Sequence, residues 1–246
     1  GCRVEIRTTE HTLYKRKRRT LMIAYMAVIG CMLVTVALLH RSEFAGEEKG
    51  IHLWKPLSST LMTAVLLIAF SRGACSRAEY TLALLAGMLL CFGGDMALMF
   101  MNRSKKAFRI GLVLFLLGHV VYIAVFTWFN GFHREDLISG AVLAVLGIGI
   151  YLYLLPGLGE MKVPVLVYVI IISLMVNRAV SVFFGGYFTA IQAWLITGGA
   201  VLFYISDVIL SLARFRHTWR YGRINLAFYY AGQVLTALSA GFFCGI

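Results

Sequence analysis

Eight long apolar runs limit what this chain can fold into. A helix that crosses a bilayer needs about 20 mostly apolar residues, and runs of roughly that length recur along the whole sequence. Because lipid offers no partners for backbone N–H and C=O groups, a single run satisfies them only as a helix. We therefore predict an all-α polytopic membrane bundle of eight transmembrane helices, at residues 20–39, 56–71, 80–101, 107–129, 137–155, 163–184, 187–213 and 224–245.

The composition indicates a membrane protein. The chain is 60% hydrophobic and 14% charged, whereas a soluble domain carries roughly a quarter charged residues. The net charge of +12 would suggest nucleic acid as a partner of a soluble protein, but here the basic residues fall between apolar runs and meet lipid headgroups. We predict membrane lipids as partners, no nucleic acid, a basic N-terminal tail at 1–19 and a single transmembrane domain at 20–246.

The two halves of the chain share features that lie four helices apart. Lys55-Pro56 opens the second predicted helix, and Lys162-Val163-Pro164 opens the sixth. An aspartate lies late in the third helix (Asp95) and late in the seventh (Asp207), and a basic loop follows each. With four spans in each half, both halves run in the same direction, so the pattern predicts a 4+4 parallel repeat.

Asp95 and Asp207 are predicted at the same membrane depth. We call the side where the chain starts A and the opposite side B, so the third and seventh helices both end on B. Asp95 is eight residues before Arg103, and Asp207 is seven before Arg214. At about 1.5 Å per residue, both carboxylates lie about 10–12 Å below the B surface. Since an ionisable group inside a membrane marks a functional site by default, we expect the acids to face each other in a polar pocket open towards B.

Further polar residues are predicted around the two acids. Lys55 is expected at the B rim, either binding a headgroup or simply extending to the membrane surface. His119 lies near the middle of the fourth helix, and Arg178 interrupts the sixth, with a side chain long enough to bend towards the acids. Three more residues complete the predicted set: Tyr122, Tyr230 and Gln233.

This constellation is consistent with more than one kind of function. Two carboxylates in a low-dielectric site do not both ionise cheaply, which leaves one acid and one base and suits hydrolysis. Alternatively, each aspartate only bonds a neighbouring helix. Internal repeats and intramembrane acids are also typical of proton- or ion-coupled transporters, and a non-catalytic lipid-binding bundle is a third class. No Cys or second intramembrane His completes a metal shell around His119, so we predict no metal.

The same residues, in this order, resemble the lysoplasmalogenase family of YhhN-like membrane proteins. The resemblance covers nearly the whole chain and rests on six short motifs: Lys55-Pro56-Leu57, Gly94-Asp95-Met96-Ala97-Leu98, Gly118-His119-Val120-Val121-Tyr122, Asn177-Arg178-Ala179, Ser206-Asp207 and Tyr230-Ala231-Gly232-Gln233.

The resemblance implies an enzyme that hydrolyses the vinyl ether bond of lysoplasmalogen to a fatty aldehyde and glycerophospho-ethanolamine or -choline, without a cofactor. It maps the family's two aspartates onto Asp95 and Asp207 as an acid/base pair, with the substrate phosphate near Lys55 and the B loops. The other predicted site residues would orient this pair and the water. The implied location is the endoplasmic reticulum membrane of a eukaryote or the inner membrane of a bacterium.

Overall fold

All regular secondary structure in the described residues is helical. The computed structural model describes residues 2–71, 77–101, 103–216 and 222–243, so residues 217–221 of the second basic loop lie outside the described residues. The described part contains eight α-helices: α1 Cys2–Ala45, α2 Glu48–Phe70, α3 Ala78–Leu98, α4 Lys105–Asn130, α5 Glu135–Leu154, α6 Lys162–Ser181, α7 Ala190–Phe215 and α8 Asn225–Ser239. Short 3₁₀ turns at Leu155–Gly157, Gly159–Met161 and Gly222–Ile224 complete it. The all-α prediction is confirmed.

Seven helices in the described ranges, α1 to α7, are long and apolar enough to cross a membrane. Large apolar side chains such as Trp128, Leu137 and Val145 are exposed on the outside of the bundle, as expected for side chains that face lipid. The chain is therefore a multi-pass membrane protein. The eighth helix has 15 residues, which at about 1.5 Å per residue is shorter than the roughly 30 Å hydrocarbon core. It ends at Ser239 rather than near residue 245, and the count of eight spans stays a prediction.

The first two helices begin earlier than the apolar runs do. Helix α2 starts at Glu48, so Pro56 is inside the helix and not in its first turn. Proline removes its own N–H from the ladder and its ring crowds the carbonyl of residue i−4, which is His52, but the flanking turns continue the helix. Residues 2–19, predicted as a basic tail, are helical and continuous with α1. Hydropathy does not detect such polar turns, because they form beyond the apolar run. The division into tail and membrane domain remains a prediction.

Six helices close a ring through consecutive contacts. The order around the ring is α2, α3, α4, α6, α7, α8 and back to α2. Helix α1 packs outside α2, and α5 packs outside α6. The contact pattern repeats when helices are compared with those four positions away. The α1–α2 contact corresponds to α5–α6, α2–α3 to α6–α7, and α3–α4 to α7–α8. The α8–α2 contact corresponds to α4–α6.

Helices α7 and α8 approach each other closely at two facing glycines. A Cβ atom on Gly199 would lie 2.7 Å from the carbonyl oxygen of Gly232, and a Cβ on Gly232 would lie 2.7 Å from that of Gly199. Neither carbonyl moves without shifting a helix. Small residues at helix crossings let membrane helices pack at short distance. The neighbouring Gly198 is different, because its Cβ would meet only the Leu235 side chain at 3.5 Å.

These two adjacent glycines provide a matched test of helix packing. We expect Gly199→Ala to destabilise the fold by about 1–3 kcal/mol, because the new methyl group forces α7 and α8 apart. Gly198→Ala should cause no loss, since its methyl group has ordinary contact distances. Thermal unfolding in detergent, followed by intrinsic fluorescence, measures both changes. Equal melting temperatures for the two variants would contradict the close crossing.

Candidate active site

Asp95 lies in a buried polar cluster built by three helices. It is in the last turn of α3 and is 2% exposed. The hydroxyl groups of Ser59 on α2 and Tyr229 on α8 each donate a hydrogen bond of 2.7 Å to its Oδ2 atom. The ammonium nitrogen of Lys55 lies 3.9 Å from its Oδ1 atom. A carboxylate in an apolar interior requires such partners, because an unpaired buried charge is strongly unfavourable.

Lys55 is inside this cluster and not at the membrane rim, which corrects the sequence prediction. Its side chain is 5% exposed. Because α2 begins at Glu48, position 55 is already about two turns into the helix. A second carboxylate, that of Glu43 near the end of α1, interacts electrostatically with the same ammonium group. Glu43 in turn is 3.2 Å from the Arg223 guanidinium. Two cations, Lys55 and Arg223, therefore share the two carboxylates of Asp95 and Glu43.

Ser59 and Tyr230 connect Lys55 to Asp95. Ser59 is four residues after Lys55, so both side chains lie on the same face of α2. The Tyr230 hydroxyl is 3.1 Å from the Ser59 hydroxyl and donates a 3.4 Å hydrogen bond to the Lys55 carbonyl. Sequence reasoning placed Tyr230 at this level but missed Ser59. The i, i+4 spacing from Lys55 was the signal that could have identified Ser59.

Asp207 has different surroundings, because it lines an apolar pocket. The pocket lies between α3, α4, α5, α6 and α7 and is partly open to the outside. The Tyr168 hydroxyl of α6 donates a 2.5 Å hydrogen bond to Asp207 Oδ2. Most of the remaining lining is hydrocarbon, from residues that include Leu98, Phe108, Leu112, Phe115, Ile150, Leu154, Val165, Val169 and Ile172.

This apolar lining differs from the polar pocket predicted from the sequence. Of the polar residues predicted near Asp207, Lys55 and Tyr230 lie in the Asp95 cluster, and Arg178 lies at the opposite end of the bundle. Apolar side chains, including those of α5 and α6, line the pocket beside Asp207 instead. Apolar lining residues carry no sequence signal that separates them from lipid-facing ones. Tyr168 was missed for a similar reason, since a tyrosine in an apolar run is usually a packing residue.

The two acids are neighbours but do not share a hydrogen bond. Each carboxylate has its own hydroxyl donors, and Asp207 lies within electrostatic range of Asp95. Cys91, one turn before Asp95 on α3, interacts electrostatically with both acids. The arrangement provides one carboxylate beside an ammonium group and a second beside an apolar pocket.

His119, Tyr122 and Gln233 occupy the interior next to these acids. Tyr122 donates a 2.9 Å hydrogen bond to the Gln233 side-chain oxygen. The His119 ring is fully buried and packs edge-on against the rings of Tyr168 and Phe203. Within the described residues, both His119 ring nitrogens and the Gln233 amide nitrogen are buried without a hydrogen-bond partner.

Arg178 does not reach Asp95 or Asp207, which corrects the prediction that its side chain bends towards them. Its guanidinium is 2.5 Å from the Asp136 carboxylate and also donates hydrogen bonds to the Gly131 carbonyl and the Ser181 hydroxyl. These partners lie at the A ends of α4, α5 and α6. The side chain is long enough to bend towards the B end, but it finds a carboxylate and two further oxygen acceptors at the A end. Arg178 therefore ties three helix ends together.

A metal site is not apparent from the donor atoms. The described ranges contain no group of three or more His, Cys, Asp or Glu residues that could hold a metal ion. The candidate site instead combines two buried carboxylates, an ammonium group and several hydroxyl groups inside a helical ring. Fold and site together define a multi-pass membrane protein with a pair of intramembrane acids.

Comparisons with known proteins identify the family. Residues 50–240 match the YhhN family, so this chain belongs to that family. It is 30% identical over 207 residues to the lysoplasmalogenase TMEM86A of Bos taurus, an alignment that covers 76% of this chain and 82% of the bovine protein. No solved structure matches the chain. The resemblance drawn from the sequence motifs is confirmed.

The position of Arg178 predicts a structural role. We expect Arg178→Met to destabilise the fold by about 3 kcal/mol, because it leaves the Asp136 carboxylate nearly buried without its cation. Arg109→Met is the matched control, since the Arg109–Glu160 pair has exposed side chains, with relative exposures of 53% and 83%. Denaturant titration in detergent micelles gives both values. Equal shifts for the two variants would contradict the structural role of Arg178.

Proposed function

We propose that this protein is a lysoplasmalogenase, which hydrolyses the vinyl ether bond of a lysoplasmalogen to a fatty aldehyde and glycerophospho-ethanolamine or -choline. Membership of the YhhN family and the similarity to bovine lysoplasmalogenase support the proposal. The observation that carries it is the position of Asp207, a carboxyl group in an apolar pocket with a second carboxyl group nearby. Such a pocket suits a hydrocarbon chain attached to an acid-labile bond.

Asp207 is the general acid of this proposal. Its Oδ2 atom already accepts the Tyr168 hydrogen, so the catalytic proton is carried by Oδ1. A vinyl ether is cleaved by protonation of its β-carbon, which gives an oxocarbenium-like cation. Because Asp207 lines the pocket, it is the acid that reaches a bound alkenyl chain. Asp95 does not line this pocket.

Asp95 is the base and the stabilising anion. Lys55, Ser59 and Tyr229 keep its charge in place, and this charge favours the oxocarbenium-like cation. Water adds to the cation and forms a hemiacetal. The proton that it releases passes to Asp95 through a second water molecule, because Asp95 does not line the pocket. Asp95 then returns that proton to the departing glycerol oxygen, while the hemiacetal hydroxyl proton passes to Asp207. Both carboxyl groups end as they began, and aldehyde and glycerophospholipid headgroup are released.

His119, Tyr122, Tyr230 and Gln233 orient the water and the acids. The unpaired nitrogens of His119 and Gln233 provide buried sites for the attacking water, while Tyr122 fixes the Gln233 amide. Tyr230 holds Ser59, which in turn bonds Asp95. None of these roles requires a cofactor. Arg178 has no part in the chemistry.

The wider architecture of the proposal is an eight-span bundle of two parallel four-helix repeats. The pattern of helix contacts, which recurs four helices later, supports the repeat. So does the spacing of eight residues from Gly87 to Asp95 and from Gly199 to Asp207, since both glycines pack closely against the following helix. The substrate is a lysophospholipid of the surrounding bilayer. We expect the protein in the endoplasmic reticulum membrane of a eukaryote or the inner membrane of a bacterium.

Removing either acid tests the chemistry. Asp95→Asn and Asp207→Asn should each lower aldehyde release from lysoplasmenyl-ethanolamine by at least about 100-fold, because an amide neither gives nor accepts the required proton. The control is Glu160→Gln, which removes an exposed carboxylate with the same chemical change. Turnover is measured with purified, folded protein in detergent, beside a saturated ether analogue that should release no aldehyde.

Near-normal turnover in either folded asparagine variant would contradict the acid/base pair. No aldehyde from folded wild-type protein would contradict the enzyme itself. The transporter alternative would then be tested by counterflow uptake into proteoliposomes, which should depend on the same two aspartates.

Lys55 is expected to act on catalysis and not on binding. Its ammonium group balances Asp95, so Lys55→Met should lower kcat roughly 10- to 100-fold and change KM by less than about threefold. Lys49→Met, an exposed lysine six residues earlier on the same helix, is the control. A raised KM with unchanged kcat would instead return Lys55 to the headgroup-binding role predicted from the sequence.

A further inference from the structure

Arg214 shares the apolar pocket with Asp207. The two residues are seven positions apart on α7, which is about two turns, so they lie on the same face and their Cα atoms are about 10.5 Å apart along the helix axis. Both line the pocket. Arg214 is in the last turn of α7, at the B end, and it is exposed. The pocket therefore has an acid in its interior and a cation where the helix leaves the membrane.

The Arg214 guanidinium is positioned without an acidic partner. Its central carbon lies 5.1 Å from the centre of the Phe108 ring, which is a cation–π arrangement. Three other arginines on the B side, Arg103, Arg109 and Arg223, each pair with a glutamate. Within the described residues, Arg214 has no ion pair. Its hydrogen-bond donors are thus available to an anion that enters with a ligand.

We propose that Arg214 binds the phosphate of the lysophospholipid, so that the pocket selects a phosphate-bearing alkenyl lipid over a neutral alkenylglycerol. This inference rests on the proposed function. From the β-carbon of the vinyl ether to a phosphate oxygen there are roughly eight bonds, which span about 10 Å in an extended glycerol backbone. That length fits the separation of Asp207 and Arg214 along α7. A guanidinium group also matches a phosphate in shape and charge, with two parallel hydrogen bonds.

A phosphate bound at Arg214 would place the headgroup away from Lys55. Lys55 is buried beside Asp95, outside the lining of this pocket. A phosphate at Arg214 leaves the hydrocarbon chain among the apolar residues of α4, α5 and α6. The vinyl ether then lies beside Asp207, and the alcohol part of the headgroup extends past Arg214 towards the B surface.

The test compares two arginines of the same helix end. Arg216 is exposed like Arg214 and lies 4.5 Å from the Tyr153 ring, but it does not line the pocket. Arg214→Gln and Arg216→Gln are assayed in phospholipid-free detergent with lysoplasmenyl-choline and with the matching alkenylglycerol. We expect Arg214→Gln to raise KM for the phospholipid about 10- to 30-fold. The ratio of kcat/KM for the phospholipid to kcat/KM for the alkenylglycerol should fall by the same factor. Arg216→Gln should keep the wild-type preference, and Arg214→Lys should be intermediate.

Three results would overturn the proposal. The first is an unchanged substrate preference in folded Arg214→Gln. The second is an equal loss of kcat/KM for both substrates. The third is an effect that appears only in phospholipid bilayers, where Arg214 would merely anchor the helix to bulk lipid. If wild-type protein cleaves neither substrate, the proposed function fails separately. The phosphate site is then measured by binding of a saturated alkyl lysophosphocholine, which Arg214→Gln should weaken at least about 10-fold and Arg216→Gln should not.

Discussion

A carboxylate inside an apolar bundle is stable only where other side chains replace the water it has lost, and Asp95 depends on three helices for this. Its partners come from α2, which is next to α3 in the ring, and from α8, which is next to α2 but far away in the chain. The contact between α2 and α8 is also the one that closes the six-helix ring. The polar cluster therefore forms where the fold brings its beginning and end together, so site and ring closure depend on each other.

The second acid shows how one bundle creates two electrostatic environments. Asp95 faces an ammonium group and two hydroxyl groups, whereas Asp207 faces one tyrosine hydroxyl and a hydrocarbon-lined space. Opposite roles in proton transfer require such a difference, because two equivalent carboxyl groups would compete for the same proton. The helix contacts are similar in the two halves, but the side chains around the acids are not. A hydrolytic function needs this asymmetry more than it needs the repeat.

The polar residues of the bundle divide between its two ends. At the B end they surround the acids, and at the A end Arg178 and Asp136 join α4, α5 and α6. Both clusters contain a buried ion pair between residues distant in sequence. Both also contain buried polar atoms without a hydrogen-bond partner, and an apolar pocket adjoins each. Only the pocket at the B end has a carboxyl group, that of Asp207, in its lining. Burial of charge and a neighbouring pocket therefore do not distinguish the two ends, whereas an acid in the pocket lining does.

The sequence by itself determined the membrane helices, the two intramembrane acids and the family motifs. These depend on local composition and on a constant rise per residue, which any apolar helix follows. It did not determine which side chains meet. Lys55 lies in the interior and not at the predicted rim, because α2 begins earlier than its apolar run. Arg178 binds Asp136, because this carboxylate is nearer to it than Asp95 and Asp207 are. Tyr168, Ser59 and the pocket emerged only in three dimensions, since helix rotation and neighbour identity are set by packing between segments far apart in the chain.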